Sequence, residues 1–201
     1  DTPYNRAVDG RRQPGSLLKG FVWGAAYERG QFSPTSLMVD APETWQIGRG
    51  KWWKPKNYTG KYRQEPVSLE DALAHSINSV AVKLAHEVGV PRVQDFARRA
   101  GIHSDLVDNL TLALGSSEVS PLEITNAYAT IAADGRHAEP RFVVSISDRD
   151  GPVSVPLTRE PPMLSRIDPE LCWLLRQSMR AVVTAGSGRR LKGFAREVVG
   201  K

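Results

Sequence analysis

Apolar residues recur at helical spacing over much of this chain, and the pattern predicts a mostly helical protein. A Pro14-Gly15 turn precedes the first helix, while Ser68 and Ser120 are typical N-terminal caps. The helices are predicted, with approximate bounds, over residues 16–29, 68–76, 80–89, 91–100, 120–135 and 168–186.

The remaining segments predict a smaller β component. Residues 31–66 combine prolines and glycines with interleaved aromatic residues, which is typical of a long functional loop or one packed by its own side chains. Residues 141–147 alternate and are β-branched, so we predict a strand that turns at 148–151 and pairs back as a hairpin through 153–157. Residues 195–201 resemble the beginning of another strand. The pattern as a whole indicates an α+β fold with a hairpin and a partial terminal strand.

Composition limits the function classes. The chain has 201 residues, 40% of them hydrophobic and 24% charged, as expected for one large globular domain or part of one. The net charge of +5 fits a solvated basic surface or attraction to a polyanion, but no basic run is dense enough to indicate nucleic acid. The single Cys172 excludes an intrachain disulfide, and no apolar run approaches bilayer length. Without a starting Met or signal peptide, the chain is expected to be a segment of a longer protein.

Ser16 and Lys19 form a Ser-x-x-Lys motif at the start of the first predicted helix. Residues three apart share a helix face, so the lysine amine could take the proton of the serine hydroxyl, and helix N-terminal dipoles could stabilise an oxyanion. About one chance match is expected in a chain of this length. Taken alone, a helix cap followed by a solvated lysine explains the motif better.

Ser76 and Asn78 form a second polar pair, Ser-x-Asn, between two apolar runs. Such a pair is commonly a capping device; the functional alternative is a hydroxyl that relays a proton beside an amide that holds a substrate backbone. Lys201, taken alone, gives no indication of a function. The four histidines show no metal-ligand spacing, and with one cysteine no metal or other cofactor is predicted. A relay through His75 is disfavoured because neighbouring helical residues point apart.

In order, these places resemble the Ser-x-x-Lys, Ser-x-Asn and Lys-Thr-Gly motifs of the penicillin-recognising serine acyl transferases, with the third ending at Lys201. The intervening stretches resemble class A penicillin-binding proteins in particular. The matching stretches are RQPGSLLK at 12–19, WKPKNY at 53–58, the segment that runs from VSL at 67–69 to SIN at 76–78, LGSSEVSPLE at 114–123 and VVTAGSG at 182–188. The resemblance covers nearly the whole chain with family-like spacing.

The resemblance implies a β-lactamase/transpeptidase-like fold and a serine D,D-transpeptidase that cross-links peptidoglycan. Ser16 would attack the penultimate D-Ala carbonyl of a donor peptide and expel the last D-Ala, with Lys19 as general base. Ser76, assisted by Lys201, would pass a proton to the leaving amine. Asn78 would hold the donor peptide, and Lys201 would also favour its terminal carboxylate. β-Lactams mimic the donor and would leave Ser16 acylated.

It also implies that residues 1–201 are part of a penicillin-binding transpeptidase domain. A glycosyltransferase domain, an N-terminal membrane anchor and further C-terminal strands would lie outside these residues. The enzyme would act at the extracytoplasmic, periplasmic face of the bacterial inner membrane. Its partners would be stem peptides, β-lactams and other cell-wall synthesis proteins, with no nucleic acid.

The chain departs from the family where Gly20 replaces the usual Pro and Val199 replaces a small residue, although neither change removes a reacting group. Because strands that complete the site would lie outside residues 1–201, we expect these residues alone to be poorly active. Two alternatives stay open. One is a serine β-lactamase or D,D-carboxypeptidase of the same fold, and the other is a non-catalytic binding or scaffold module.

Overall fold

The computed structural model describes residues 3–143, 145–149, 151–152 and 167–201, and it is mostly helical. The helices begin close to where the apolar pattern places them. They are α1 (Lys19–Glu28), α2 (Leu69–Ala74), α3 (Asn78–Val88), α4 (Val90–Ala100), α5 (Pro121–Ala132) and α6 (Pro169–Thr184). Short 3₁₀ helices cover Gly15–Leu18, Leu110–Leu114 and Arg189–Leu191.

Side-chain caps explain where three of these helices start. Ser68 accepts a hydrogen bond from the Asp71 N–H at the start of α2. Ser120 forms a capping box with Glu123 at the start of α5. At α6 the Asp168 carboxylate accepts from the first turn. These side chains satisfy N–H groups that a helix leaves unpaired at its N-terminus, which confirms the predicted starts.

Helix α1 is the centre of the hydrophobic core. Every residue from Lys19 to Tyr27 is buried, as expected for a helix that is covered on all sides. It contacts α3, α4 and α6, and the fully buried Trp23 donates its indole N–H to Leu69 O at 2.8 Å. The helix that follows Ser16 is therefore held rigidly within the protein.

The loop predicted over residues 31–66 contains short antiparallel pairs. Strand β1 (Leu37–Val39) pairs with β4 (Pro66–Ser68), and β2 (Trp45–Gly48) pairs with β3 (Lys51–Trp53). The β1–β4 pair leads directly into α2. The loop is thus anchored at both of its ends to the helical core.

Part of the predicted C-terminal β structure lies among the described residues. Among them, β5 (Ser147–Asp148) pairs with β6 (Gly151–Pro152), while the predicted return strand over 153–157 lies outside the described residues. In the described part of the chain, 195–201 and most of 141–147 form no ladder. A strand needs a hydrogen-bonded neighbour, and these segments have none there. Accordingly Phe142, in the first strand predicted here, is 77% exposed.

Candidate active site

The backbone that carries Ser16 is positioned by a close contact between two glycines. Ser16 lies in the 3₁₀ helix Gly15–Leu18, so it precedes α1 instead of forming its first turn. Gly15 has φ +59°, and a Cβ placed on Gly115 would lie 2.2 Å from Gly15 O. The turn that presents Ser16 therefore depends on a side-chain-free position at Gly115.

Lys19 is a buried amine held by neutral groups. Its Nζ donates to Ser76 O at 2.7 Å, to Ser76 Oγ at 3.0 Å and to Asn78 Oδ1 at 2.6 Å. Burial, and then the positive charge of Lys201, lower the pKa of Lys19 to about 7. Near neutral pH a large fraction of this amine is uncharged and able to accept a proton.

Ser76 links the amine to Ser16. It lies between α2 and α3 with φ +58°, a left-handed conformation that is uncommon for a residue with a side chain. Its Oγ lies 3.0 Å from Ser16 Oγ and 3.0 Å from Lys19 Nζ. Within the described contacts Ser16 and Lys19 share no direct hydrogen bond, so the connection between them runs through Ser76.

Lys201 reaches the C-terminal end of α2. Its Nζ donates to Leu73 O at 2.6 Å, and Ser187 donates its backbone N–H to Ala74 O at 2.9 Å. A cation is favoured at the negative end of a helix dipole. Burial lowers the pKa of Lys201 to about 8. All five residues singled out from the sequence thus come together in one region.

Asp40 and Asn57 belong to the same region, although sequence reasoning assigned them no role. Asn57 Oδ1 accepts from the N–H groups of Asn78 at 2.9 Å and Ser79 at 3.1 Å, which caps α3 from a distant loop. Asp40 accepts from Asn57 Nδ2 at 2.8 Å and from the Ser79 hydroxyl. Only the WKPKNY stretch pointed to Asn57, and nothing local pointed to Asp40.

The charge of Asp40 is held by hydrogen bonds. Burial alone would raise the pKa of this carboxyl, but donors from Ser79, the Arg63 backbone and Asn57 lower it below its ordinary value. The ionised Asp40 orients Asn57, and Asn57 in turn fixes the first turn of α3, where Asn78 lies. This network positions one of the acceptors of Lys19.

Gly20 and Val199, the departures from the family pattern, are accommodated by packing. A Cβ on Gly20 would lie 2.8 Å from Tyr128 Oη and 2.9 Å from Met179 Cε, so a larger residue there requires both neighbours to shift. Val199 is partly buried against the hydrophobic core. Neither departure disturbs the hydrogen bonds of Lys19.

Ser16 opens into a cleft of about 530 Å³. The cleft is lined by Ser76 and Asn78 together with polar residues of the 57–63 loop. His75 faces it as well, but its Nδ1 lies 2.9 Å from Asp71 Oδ1, so this ring interacts with the acidic residue one turn earlier. The cleft can admit a peptide-sized ligand beside the two serine hydroxyls.

A serine hydroxyl joined through a second hydroxyl to a lysine of lowered pKa is typical of serine acyl transferases. The family model described as "Penicillin binding protein transpeptidase domain" matches residues 2–201. The chain belongs to this family.

Comparisons with relatives and with solved structures support the same family. The chain is 34% identical to penicillin-binding protein 1A of Neisseria gonorrhoeae over 98% of its own length, and it spans about a quarter (25%) of that relative. The crystal structure of penicillin-binding protein 1A from Haemophilus influenzae superposes with a TM-score of 0.87 at 25% identity, covering 99% of this chain and 35% of that one. An imipenem acyl-enzyme complex of penicillin-binding protein A from M. tuberculosis superposes with a TM-score of 0.76 at 25% identity, covering 89% of this chain and 45% of that one. The α+β, transpeptidase-like fold is thereby confirmed.

Proposed function

We propose that this chain is part of the transpeptidase domain of a bifunctional peptidoglycan synthase. It would act as a serine D,D-transpeptidase that cross-links stem peptides ending in D-Ala-D-Ala. The observation that carries the proposal is the hydrogen-bonded series Ser16–Ser76–Lys19, which ends on an amine whose pKa is about 7. Such a base can accept a serine proton at neutral pH.

In the acylation step Ser16 Oγ attacks the carbonyl carbon of the penultimate D-Ala. The Ser16 proton passes through Ser76 Oγ to uncharged Lys19 Nζ. The amide C–N bond then breaks, and the terminal D-Ala leaves as an amine after it receives a proton from Ser76, which Lys19 replenishes. An ester on Ser16 remains, the hydroxyl proton of Ser16 has left with the D-Ala amine, and Ser76 and Lys19 are back in their starting protonation states.

In the second step an acceptor amine attacks the ester carbonyl. The amine gives up a proton through Ser76 to Lys19, a new amide bond forms, and the bond between the acyl carbon and Ser16 Oγ breaks. The proton returns along the same path to Ser16 Oγ. This step restores the free enzyme and completes the cross-link.

Lys201 and Asn78 are proposed to bind the donor peptide. Below pH about 8 the Lys201 amine is charged and attracts the terminal carboxylate of the donor. Asn78 Oδ1 accepts a hydrogen bond from Lys19 Nζ, and Asn78 Nδ2 donates one hydrogen to Lys56 O at 2.7 Å. A carboxamide carries two such hydrogens, so the second remains for a peptide carbonyl.

We further propose that a glycosyltransferase domain, a membrane anchor and additional strands lie outside these residues. This fits the share of the curated relative that the chain spans, 25%. Within the described residues every helix is too short or too polar to cross a bilayer. The proposed location is the extracytoplasmic, periplasmic face of the bacterial inner membrane, where cell-wall synthesis proteins would be the partners.

The proposal is tested by labelling with fluorescent penicillin. Residues 1–201 and a longer chain extended at both ends would each be compared with its own Ser16→Ala variant. Ser145→Ala, which changes an exposed serine, would serve as a matched control. We expect stable, Ser16-dependent labelling of the extended chain and weak labelling of residues 1–201. Rapid loss of the label would favour a β-lactamase, and no labelling of a folded extended chain would favour a non-catalytic module.

A further inference from the structure

A second cluster of reactive side chains lies on a different surface. His103 follows α4, while His137 and Glu139 follow α5, and one ligand atom from each lies within 4.8 Å of the others. The spacing of these residues along the sequence gave no sign of a site, because they come from two separate connections. The cavity beside them, of about 340 Å³, shares no lining residue with the Ser16 cleft.

His137 is the buried member, and one of its ring nitrogens is unused. The side chain is 2% exposed, and Nδ1 lies 2.9 Å from Thr130 Oγ1. The Thr130 hydroxyl has one hydrogen and two acceptors in reach, His137 Nδ1 and Asn126 O, the latter at 3.2 Å; when it donates to Asn126 O, it accepts from an Nδ1–H of His137. This tautomer leaves a lone pair on Nε2, which has no hydrogen-bond partner among the described residues.

A buried imidazole nitrogen without a partner is costly unless something binds it. The carboxylate oxygen Glu139 Oε1 lies 3.5 Å from His137 Nε2. Histidine ligands in metal sites donate their other ring N–H to a carboxylate, a backbone carbonyl or water, and in this tautomer the Thr130 hydroxyl oxygen takes the place of that acceptor. In that tautomer the unpartnered Nε2 of His137 can donate its lone pair to a cation.

We propose that His103, His137 and Glu139 bind one Zn²⁺ or a closely similar divalent cation. Two imidazoles and a carboxylate are a ligand set that zinc accepts, and a fourth ligand would complete the coordination. Zinc bonds of about 2.1 Å require ligand atoms no more than about 4.2 Å apart, so the cluster must contract slightly. His103 and Glu139 are exposed, so their side chains have room to adjust, whereas His137 is buried.

The contact that fixes His137 is with Gly101. A Cβ on Gly101 would lie 2.4 Å from His137 Cε1, so the ring rests directly on the backbone that ends α4. A bound cation would join this connection to the one after α5, and it would tie the two helices together at that end. The neighbouring cation Arg11 is balanced by Glu123, whose Oε2 lies 3.6 Å from Arg11 Nη1.

The competing explanation is a simple ion pair between protonated His137 and Glu139, without a metal. Zinc binding to the full-length protein distinguishes the two. After dialysis against EDTA, ZnCl₂ would be titrated in competition with a chromophoric chelator, and CoCl₂ binding would be followed by visible absorption. The variants are His103→Ala and Glu139→Gln, both at exposed positions, with His86→Ala as an exposed histidine outside the cluster.

We expect a stoichiometry of one for the parent protein and for His86→Ala. In His103→Ala and in Glu139→Gln the affinity should fall by more than about tenfold, since even outer partners of a metal site contribute that much. The cobalt spectrum should show tetrahedral bands without a thiolate charge-transfer band, because Cys172 is buried and lies outside the cluster. Absence of saturable binding, or unchanged affinity in either cluster variant, would overturn the proposal.

Discussion

The protonation of Lys19 should control how fast penicillin acylates Ser16. With a pKa of about 7, the uncharged fraction of the amine is about 0.1 at pH 6 and about 0.9 at pH 8. Lys19, as the proposed base, would act only when uncharged, so the rate should be present above this pKa and lost as the pH falls through it. The second-order acylation rate constant, which reports pKa values of the free enzyme, should therefore rise about tenfold from pH 6 to pH 8.

Lys201 gives this prediction a sharper test. Its positive charge is the second cause of the lowered pKa of Lys19, so Lys201→Met should move the midpoint of the rise to higher pH. The same variant removes the group of pKa about 8 that is proposed to hold the carboxylate, so any decline of the rate above that pH should disappear. Lys192→Met removes an exposed lysine instead and should leave the midpoint in place.

The assay is stopped-flow labelling of the extended chain with fluorescent penicillin at a series of pH values. Folding of each variant is verified by circular dichroism at every pH. A rate that is constant between pH 6 and pH 8 would refute Lys19 as the base. A midpoint that stays unchanged in Lys201→Met would refute the electrostatic coupling of the two amines.

Three further outcomes follow from the contacts. The pKa of Lys19 is about 7 in the folded protein and 10.5 in the unfolded chain, so the free energy of unfolding of the parent should increase by about 2 to 3 kcal/mol between pH 6 and pH 9. Lys19→Met lacks this group and should not show the increase in chemical denaturation. An equal pH dependence of the two proteins would contradict this. Asn57→Ala removes the acceptor for two N–H groups at the start of α3 and should lower the free energy of unfolding by about 1 to 2 kcal/mol, with slower acylation; unchanged values of both would argue against the capping role. Gly115→Ala should abolish most labelling because its Cβ would collide with Gly15 O. Gly30 has nearly the same φ but open space around it, so Gly30→Ala should retain labelling. Equal labelling of the two variants would show that the close contact is unimportant.

The helical part of the fold could be predicted because its signals are local. Ser68, Ser120 and Asp168 precede apolar runs at the spacing that caps require, and all three cap helices in the structure. The strand predicted over 195–201 depended on a partner that no local pattern can supply. Alternation of side chains describes a surface suited to a sheet, but the ladder itself is a long-range property.

The candidate site, like the fold, could be predicted only where its signals are local. The serine and lysine motifs were visible from their spacing, although each was weak alone, and together they mark the residues that the fold brings into contact. The positions of Asp40 and Asn57 were not visible, because a buried carboxylate and a distant amide acquire their roles only when the loop folds against α3. The cluster of His103, His137 and Glu139 escaped notice for a related reason, since helices α4 and α5 must pack before their connections meet.

The bonds that assemble the cleft join residues far apart along the chain. Ser76 and Ser16 are 60 residues apart, and Lys201 is 128 residues from its acceptor Leu73. Contacts of this separation form only when most of the chain has already been ordered, because the entropy of closing long loops must first be overcome. On the proposed function, a covalent penicillin label is therefore also a record of complete folding: a population of molecules could be sorted into native and misfolded fractions by whether they carry it.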